Sequence, residues 1–251
     1  MDISDSQYNE AFVISDIHGC YDEFEDMLQY WDKERQLLIL NGDFIDRGPK
    51  SLEVIKKVNE LRTNYPHQVF TNWGNHEEMF IMVLNKPGLF DSVMNVGMLE
   101  TFESLLPGRD REQIMNEPYE TLVSILDEND DELSDFIEGL SEYIIFGDVL
   151  VVHAGVNPGV DWEETSSHDE TLWYRGFHYQ KNKTGKVIVV GHTPTNNINS
   201  DKSYNVIINR DGNIVSIDGG VCFGGQLNGI VIERSGKVLS AYASKIKEGV
   251  G

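Results

Sequence analysis

Basic residues are scarce in this chain of 251 residues: 20 Lys and Arg stand against 42 Asp and Glu, a formal net charge of −22. Such a surface repels phosphate backbones over most of its area, which disfavours nonspecific nucleic-acid binding. Any phosphate the protein holds must therefore meet a local island of positive charge. Cysteine is scarcer still, with only Cys20 and Cys222, far apart in sequence. They make neither a disulfide framework nor a zinc spacing and read as two unpaired small hydrophobes. No long apolar run occurs, and the opening residues 1–7 carry no basic region, so neither a membrane span nor a signal peptide is expected and the cytoplasm is the default compartment. Internal repeats, low-complexity tracts and linkers are also missing. With 40% hydrophobic residues the chain can bury a sizeable core, and a single domain over 1–251, with its core at about 11–243, is expected.

The patterning that is present alternates strand and helix. Ala11-Phe12-Val13-Ile14-Ser15 reads as a strand ending at Asp16 and His18-Gly19. Phe24, Met27, Leu28 and Trp31 then form a helical stripe at i, i+3, i+4 and i+7, opposite an acidic face. A second strand at 36–40, a helix from about Ser51 to Leu61, and a third strand near 68–71 follow. Residues 77–140 turn helical: 79–84, then 92–106 stopped by Pro107-Gly108, then two acidic amphipathic segments. This stretch reads as a helical insertion. Strands resume at 148–152 and 187–190 and in three β segments around 204–208, 213–217 and 229–242, with Asn209-Arg210-Asp211-Gly212 as a hairpin turn. Strands alternating with helices imply parallel pairing, with the carboxyl ends of the strands sharing one edge, the usual seat of a ligand.

Those ends carry the chemistry. After 36–40 comes Asn41-Gly42-Asp43-Phe44-Ile45-Asp46-Arg47-Gly48, and the full set of strand-end residues is Asp16, His18, Asp43, Asp46, Arg47, Asn75, His76, His153 and His192. Singly, each is more often a turn or capping residue than a ligand. Together they supply the oxygen and imidazole donors that divalent first-row metals prefer, with no thiolate to argue for structural zinc. Elsewhere, His67, His168 and His178 sit in polar surroundings and read as solvated. The acidic run 127–132 lacks the glycine spacing of a calcium loop and reads as a solvated helix boundary.

Asp16-Ile17-His18-Gly19, Gly42-Asp43-Phe44-Ile45-Asp46-Arg47-Gly48, Gly74-Asn75-His76-Glu77, His153-Ala154-Gly155 and Gly191-His192-Thr193-Pro194 resemble, in order, the signature of the phosphoprotein phosphatase family within the calcineurin-like metallophosphoesterases. The resemblance runs from about 11 to 235 and is closest to bacterial and phage members. It implies an α/β fold, a β-sandwich flanked by helices with a helical insertion at about 77–140, whose sheet is mixed rather than purely parallel. It implies two divalent metal ions, with manganese the first expectation and iron or zinc compatible. Asp16 and His18 would bind the first, Asp43 would bridge both, and Asn75, His153 and His192 would complete the second. A metal-bridging hydroxide would then attack phosphorus in line. Arg47 would grip phosphate oxygens as a fork, and His76, oriented by Asp46, would protonate the leaving group. Thr171-Leu172-Trp173-Tyr174-Arg175-Gly176 resembles the segment that supplies a second phosphate-binding arginine, which nominates Arg175. Asp218-Gly219-Gly220 departs from the family's Asp-Thr-Gly at Gly219, and Asp218 reads as structural support.

Three activities share these motifs. The first expectation is a phosphomonoesterase acting on phosphoserine and phosphothreonine in proteins, with a phosphorylated protein or small phosphoester as partner and neither nucleic acid nor membrane. The alternative is a hydrolase of dinucleoside polyphosphates such as diadenosine tetraphosphate. Asp46 leans against its symmetrical cleavers, which commonly carry Ala there, while Trp73, where protein phosphatases often carry Arg, leans against a protein substrate. A catalytically inactive phosphoprotein-binding scaffold is the minor alternative, since no ligand is missing.

Overall fold

Short, continuous apolar runs build two sheets from this chain. In the computed structural model, which describes residues 1–244, β1 (Glu10–Ile14), α1 (Tyr21–Leu28), β2 (Gln36–Asn41), α2 (Ser51–Asn64), β3 (Val69–Asn72) and α3 (Asn75–Asn85) follow in order. A helical region comes next: α4 (Phe90–Val93), α5 (Met98–Leu105), α6 (Arg111–Asn116) and α7 (Pro118–Glu138). After β4 (Leu140–Ser141), β5 (Tyr143–Phe146) and β6 (Val149–Val152) come α8 (Trp162–Thr165), α9 (His168–Trp173) and β7 (Val187–Val190). The chain finishes with β8 (Ile207–Ile208), β9 (Ile214–Ser216), β10 (Asn228–Glu233) and β11 (Val238–Ala243). One sheet runs β11-β10-β1-β2-β3-β4 and the other β5-β6-β7-β9-β8.

Both sheets are mixed, as expected. β1, β2 and β3 are parallel neighbours, β6, β7 and β9 likewise, while β10 pairs antiparallel with β1 and β5 with β6. The period of two along each strand divides the core. Ala11, Val13, Leu37 and Ile39 meet Val149, Val151 and Val189 between the sheets. Phe12, Ile14, Leu38 and Leu40 face the other way, onto α1, α2 and the 75–138 helices. Leu150, Val152 and Ile188 back onto Trp162 and Phe177. Strands covered on both faces must be apolar throughout, which explains their continuous hydrophobic runs.

Several elements differ from the sequence reading. The expected helix at 92–106 is broken: α5 begins after Gly97, whose φ of 99° stops the preceding turn. Trp31 lies beyond α1, held by an indole N–H donated to Gln36 O at 3.0 Å. The segment at 229–242 is a hairpin of two strands that turns at Gly236. Residues 127–132 span the break between two helical stretches within α7, where Asn129 leaves helical geometry with φ −130° and ψ 15°, in line with the helix boundary expected there. That helix bends at Asn129, whose side-chain amide donates to Leu105 O at 3.0 Å. β4 and β5 were not expected at all. Among the described residues no helix is long and apolar enough to cross a membrane.

Candidate metal centre

β1, β2, β3, β6 and β7 all deliver polar residues to one edge, where Asp16, His18, Asp43, Asp46, Asn75, His76, His153 and His192 are buried together. Seven non-glycine residues among those described have positive φ, and six are strand-end residues: Asp16, His18, Asp43, Asp46, Arg47 and His192. Left-handed backbone costs an L-residue about 1–2 kcal/mol, so such a cluster persists only where the surroundings over-determine it. Two side chains do much of this. Glu77, at the start of α3, accepts from Asp43 N at 2.9 Å, Phe44 N at 2.8 Å, Ile45 N at 3.3 Å and Gly74 N at 3.0 Å. Thr101, from α5, donates to Asp46 Oδ1 at 2.6 Å and accepts from Asp46 N at 2.8 Å. Gly74 is needed for contact: a Cβ there would strike both Asp43 N and its carboxylate.

Beneath the edge, buried asparagines join the two sheets. Asn72 Nδ2 donates to Asn41 Oδ1 at 2.8 Å and to Val151 O at 3.0 Å, and Asn41 Nδ2 donates to Val152 O at 3.0 Å.

Asp43 is central. Its Oδ2 lies 3.5 Å from His18 Nε2, and its Oδ1 lies 3.5 Å from His153 Nε2 and accepts from His76 N at 3.1 Å. Burial disfavours its charge, and protons on His153 first, then on His76, His18 and His192, would hold its carboxyl below the usual range. Two groups of ligand atoms lie within 4.8 Å of one another: His18, Asp43 and His76, and Asp43, His153 and His192. Asn75 Oδ1 stands 3.1 Å from His153 Nε2 and 3.0 Å from His192 Nδ1. Asp16 belongs to neither group of three. Its Oδ1 accepts from His192 N at 2.9 Å, and Ser15 Oγ bonds its Oδ2. Burial, then the Asp218 and Asp43 charges, raises the Asp16 pKa well above normal.

The donor set fits divalent cations. His18 Nδ1 and His153 Nδ1 lie 2.9 Å from Ile45 O and 3.1 Å from Asn41 O, which assigns their protons to Nδ1 and leaves Nε2 as a lone pair. His153 Nε2 then faces the Asn75 amide oxygen and the Asp43 carboxylate, acceptor against acceptor. Burial lowers the pKa of His18 and His153, and burial followed by His153 brings His192 down to about 3. His192 Nε2 is buried with no hydrogen-bond partner among the described residues. Protons therefore do not relieve the crowding, and a positive ion would.

His76 differs. Its Nδ1 meets Asp46 Oδ2 at 2.6 Å, and although burial opposes its charge, Asp43 and then Asp46 raise its pKa. The Arg47 guanidinium contacts His18 Nε2 and lies 5.0 Å above the Phe223 ring, while its backbone N–H donates to Gly97 O at 2.8 Å. Arg175 Nη1 donates to His192 O at 3.3 Å. Both arginines and Asp218 line a cavity of about 310 Å³. Burial, then Asp43, pushes Asp218 up to about 7 against the N–H donated by Gly220. A larger cavity of about 510 Å³, bordered by Asn59, Arg62 and Asp135, includes no strand-end site residue.

The structure thus brings all ten nominated residues to one edge. It adds Glu77, Thr101, Ser15, Asn41 and Asn72. Glu77 ends the Gly-Asn-His-Glu motif and could have been found there; Thr101 has no local signal. Of the other histidines, His168 is exposed and paired with Glu78 at 2.9 Å. His178 is a correction: it is buried, with Nδ1 3.0 Å from Ser216 Oγ.

A two-sheet core whose parallel strand ends gather buried carboxylate, amide and imidazole donors defines a binuclear metallohydrolase architecture. The chain belongs to the calcineurin-like phosphoesterase family, whose model matches residues 11–225. An asymmetrical bis(5'-nucleosyl)-tetraphosphatase, PrpE of Bacillus mycoides, is 29% identical, over 87% of this chain and 88% of that one. A symmetrical bis(5'-nucleosyl)-tetraphosphatase of Nitrosococcus oceani is 34% identical over 41% of this chain, which spans only 34% of that relative's length. A protein serine/threonine phosphatase of Saccharomyces cerevisiae shares the fold at 15% identity, with a TM-score of 0.63 over 99% of this chain and 83% of its own.

Proposed function

We propose that the protein hydrolyses dinucleoside polyphosphates, with diadenosine tetraphosphate as the model substrate, rather than phosphoserine or phosphothreonine in proteins. The observation that carries this reading is the similarity to an asymmetrical bis(5'-nucleosyl)-tetraphosphatase along 87% of the chain. It therefore takes the alternative from the sequence over the first expectation. Retention of Asp46 supports asymmetric cleavage, to a nucleoside triphosphate and a nucleoside monophosphate.

Asp16, His18, Asp43, Asn75, His153 and His192 would hold two divalent cations. When bound, these ions supply a water of lowered pKa and neutralise charge on the phosphate. The chain's own residues do the rest. Asp43, ionised between four imidazoles, fixes the centre of the site. Arg47 and Arg175 flank the 310 Å³ cavity and would clamp the polyphosphate oxygens, a local positive island on an acidic protein. His76 would carry a proton to the leaving oxygen, since Asp43 and Asp46 favour its charged form and Asp46 holds its Nδ1.

One observation favours a second reading, a protein phosphatase: the intact Asp46–His76 pair suits protonation of a serine alkoxide. Initial rates of manganese-loaded protein on diadenosine tetraphosphate and on a phosphoserine peptide separate the two. Faster release of ATP and AMP supports the proposal, ADP alone would make the cleavage symmetrical, and a preference for the peptide would reject it.

A further inference from the structure

The cavity beside the metal centre has two wall features that phosphoryl transfer does not use. Phe223 closes a short turn, Val221–Phe223, that starts from the left-handed Gly220, and 58% of its surface is exposed while one face packs under the Arg47 guanidinium. Asn196 lies on the turn Thr195–Asn197, just past the His192-Thr193-Pro194 segment. Its amide oxygen is buried with no hydrogen-bond partner among the described residues. An unsatisfied buried acceptor costs about 1–3 kcal/mol, and an exposed phenyl ring at the rim of a polar cavity leaves a flat apolar face in water. Both residues line the same 310 Å³ space as Arg47 and Arg175.

The geometry points to an adenosine subsite in this cavity, with Phe223 stacking on the base and Asn196 reading its edge. The assignment rests on the dinucleoside polyphosphate reading for the identity of the substrate. Adenine supplies what each residue lacks. Its π-face covers an aromatic ring, and rotation of the Asn196 amide toward the cavity lets its oxygen, covered in this structure, accept from the exocyclic amino group while the amide NH2 donates to a ring nitrogen. Guanine offers a carbonyl where adenine has the amino group and would set oxygen against oxygen. Arg47 touches both His18 and the Phe223 ring, so phosphate and base ligands adjoin through one side chain, on the scale of a single nucleotide.

Calorimetric titration of manganese-loaded protein with AMP, GMP and ribose 5-phosphate tests the assignment. AMP is expected to bind about tenfold or more tighter than ribose 5-phosphate, as stacking of one base provides. Phe223→Ala should cut that ratio about tenfold, and Asn196→Ala should bring AMP and GMP to equal affinity. Tyr119→Ala, exposed on α7 and not among the residues that line the cavity, should change neither ratio. Each ratio is read within one protein, so a partly unfolded variant still reports it. Equal binding of AMP and ribose 5-phosphate, or a ratio untouched by Phe223→Ala, overturns the subsite. Turnover keeps the two claims apart: cleavage of diadenosine tetraphosphate without adenine preference removes the subsite alone, and adenine preference without cleavage removes the proposed reaction alone.

Discussion

Asp46 Oδ2 and His76 Nδ1 lie 2.6 Å apart, both side chains buried, at the junction between the β2 turn and the first residues of α3. The carboxylate faces two ways: its other oxygen accepts from Thr101 at 2.6 Å, so α5 holds Asp46 while Asp46 holds His76. The expected insertion is therefore also a brace for the residue that orients the proposed acid.

This pair predicts a dependence on the leaving group. A phosphate leaving oxygen has a pKa of about 6, whereas an alkoxide approaches the value of about 15.7 for water. His76→Asn should therefore slow hydrolysis of a phosphoserine peptide by about 10²–10⁴ but that of diadenosine tetraphosphate by less than about tenfold. Equal losses on both substrates would deny His76 the role of proton donor.

Glu77 predicts a stability effect. Four buried backbone N–H groups converge on its carboxyl, which burial followed by Asp43 pushes up to about 8, against His76 and the N–H groups of Phe44 and Asp43. Glu77→Ala strands all four donors, and at about 1–3 kcal/mol for each unsatisfied group the variant should lose at least about 4 kcal/mol. Urea unfolding measures it; a loss under about 1 kcal/mol would mean that the turn at 42–48 holds itself.

How much of this was legible beforehand depended on whether the cause was local. β1, β2, β6 and β7 are apolar runs because both faces are covered, and polar residues follow each run directly, so Asp16, His18, Asp43, His153 and His192 stood out. The contacts that secure them are not local. Thr101 reaches Asp46 across 55 residues and Glu77 reaches Asp43 across 34, and no short window contains both partners. Tyr143-Ile144-Ile145-Phe146 was missed because four apolar residues after an amphipathic helix fit its continuation as well as a strand. His178 reads as solvated because its segment looks like a loop, although Phe177 and Tyr179 flank it, and its actual partner, Ser216, comes from β9.

His178 carries a pH prediction. Burial lowers its pKa below 6.5, so it stays neutral in the fold while the unfolded chain takes up a proton. Between 6.5 and the lowered native value the unfolded state binds more protons, and stability must fall as pH drops through that window. The slope attributable to one group is at most about 1.4 kcal/mol per pH unit. His178→Gln should lose less stability between pH 7.5 and pH 5.5 than the wild type in urea titrations. Parallel curves for the two proteins would remove His178 as the source, leaving His18, His153 and His192, which burial lowers in the same way.

Metal removal can be read without any substrate. Asp16 and Asp43 are both buried, and burial, then the Asp218 and Asp43 charges, raises the Asp16 pKa while His153 Nε2 presents a lone pair to Asn75 Oδ1 at 3.1 Å. Cations relieve each of these contacts, so they should bind the native chain and not the unfolded one. At a hundred times the dissociation constant this is worth about 2.7 kcal/mol for a single site, an upward shift in Tm of about 5–11 °C for a chain of this size. Manganese should raise Tm and a chelator should reverse it. Asp43→Asn removes the charge shared by both groups of ligand atoms but keeps the side chain's shape, so the variant should fold and lose the shift. A full shift retained in Asp43→Asn would mean that the stabilising ion binds elsewhere on this acidic surface, and the strand-end cluster would have to be explained as structure alone.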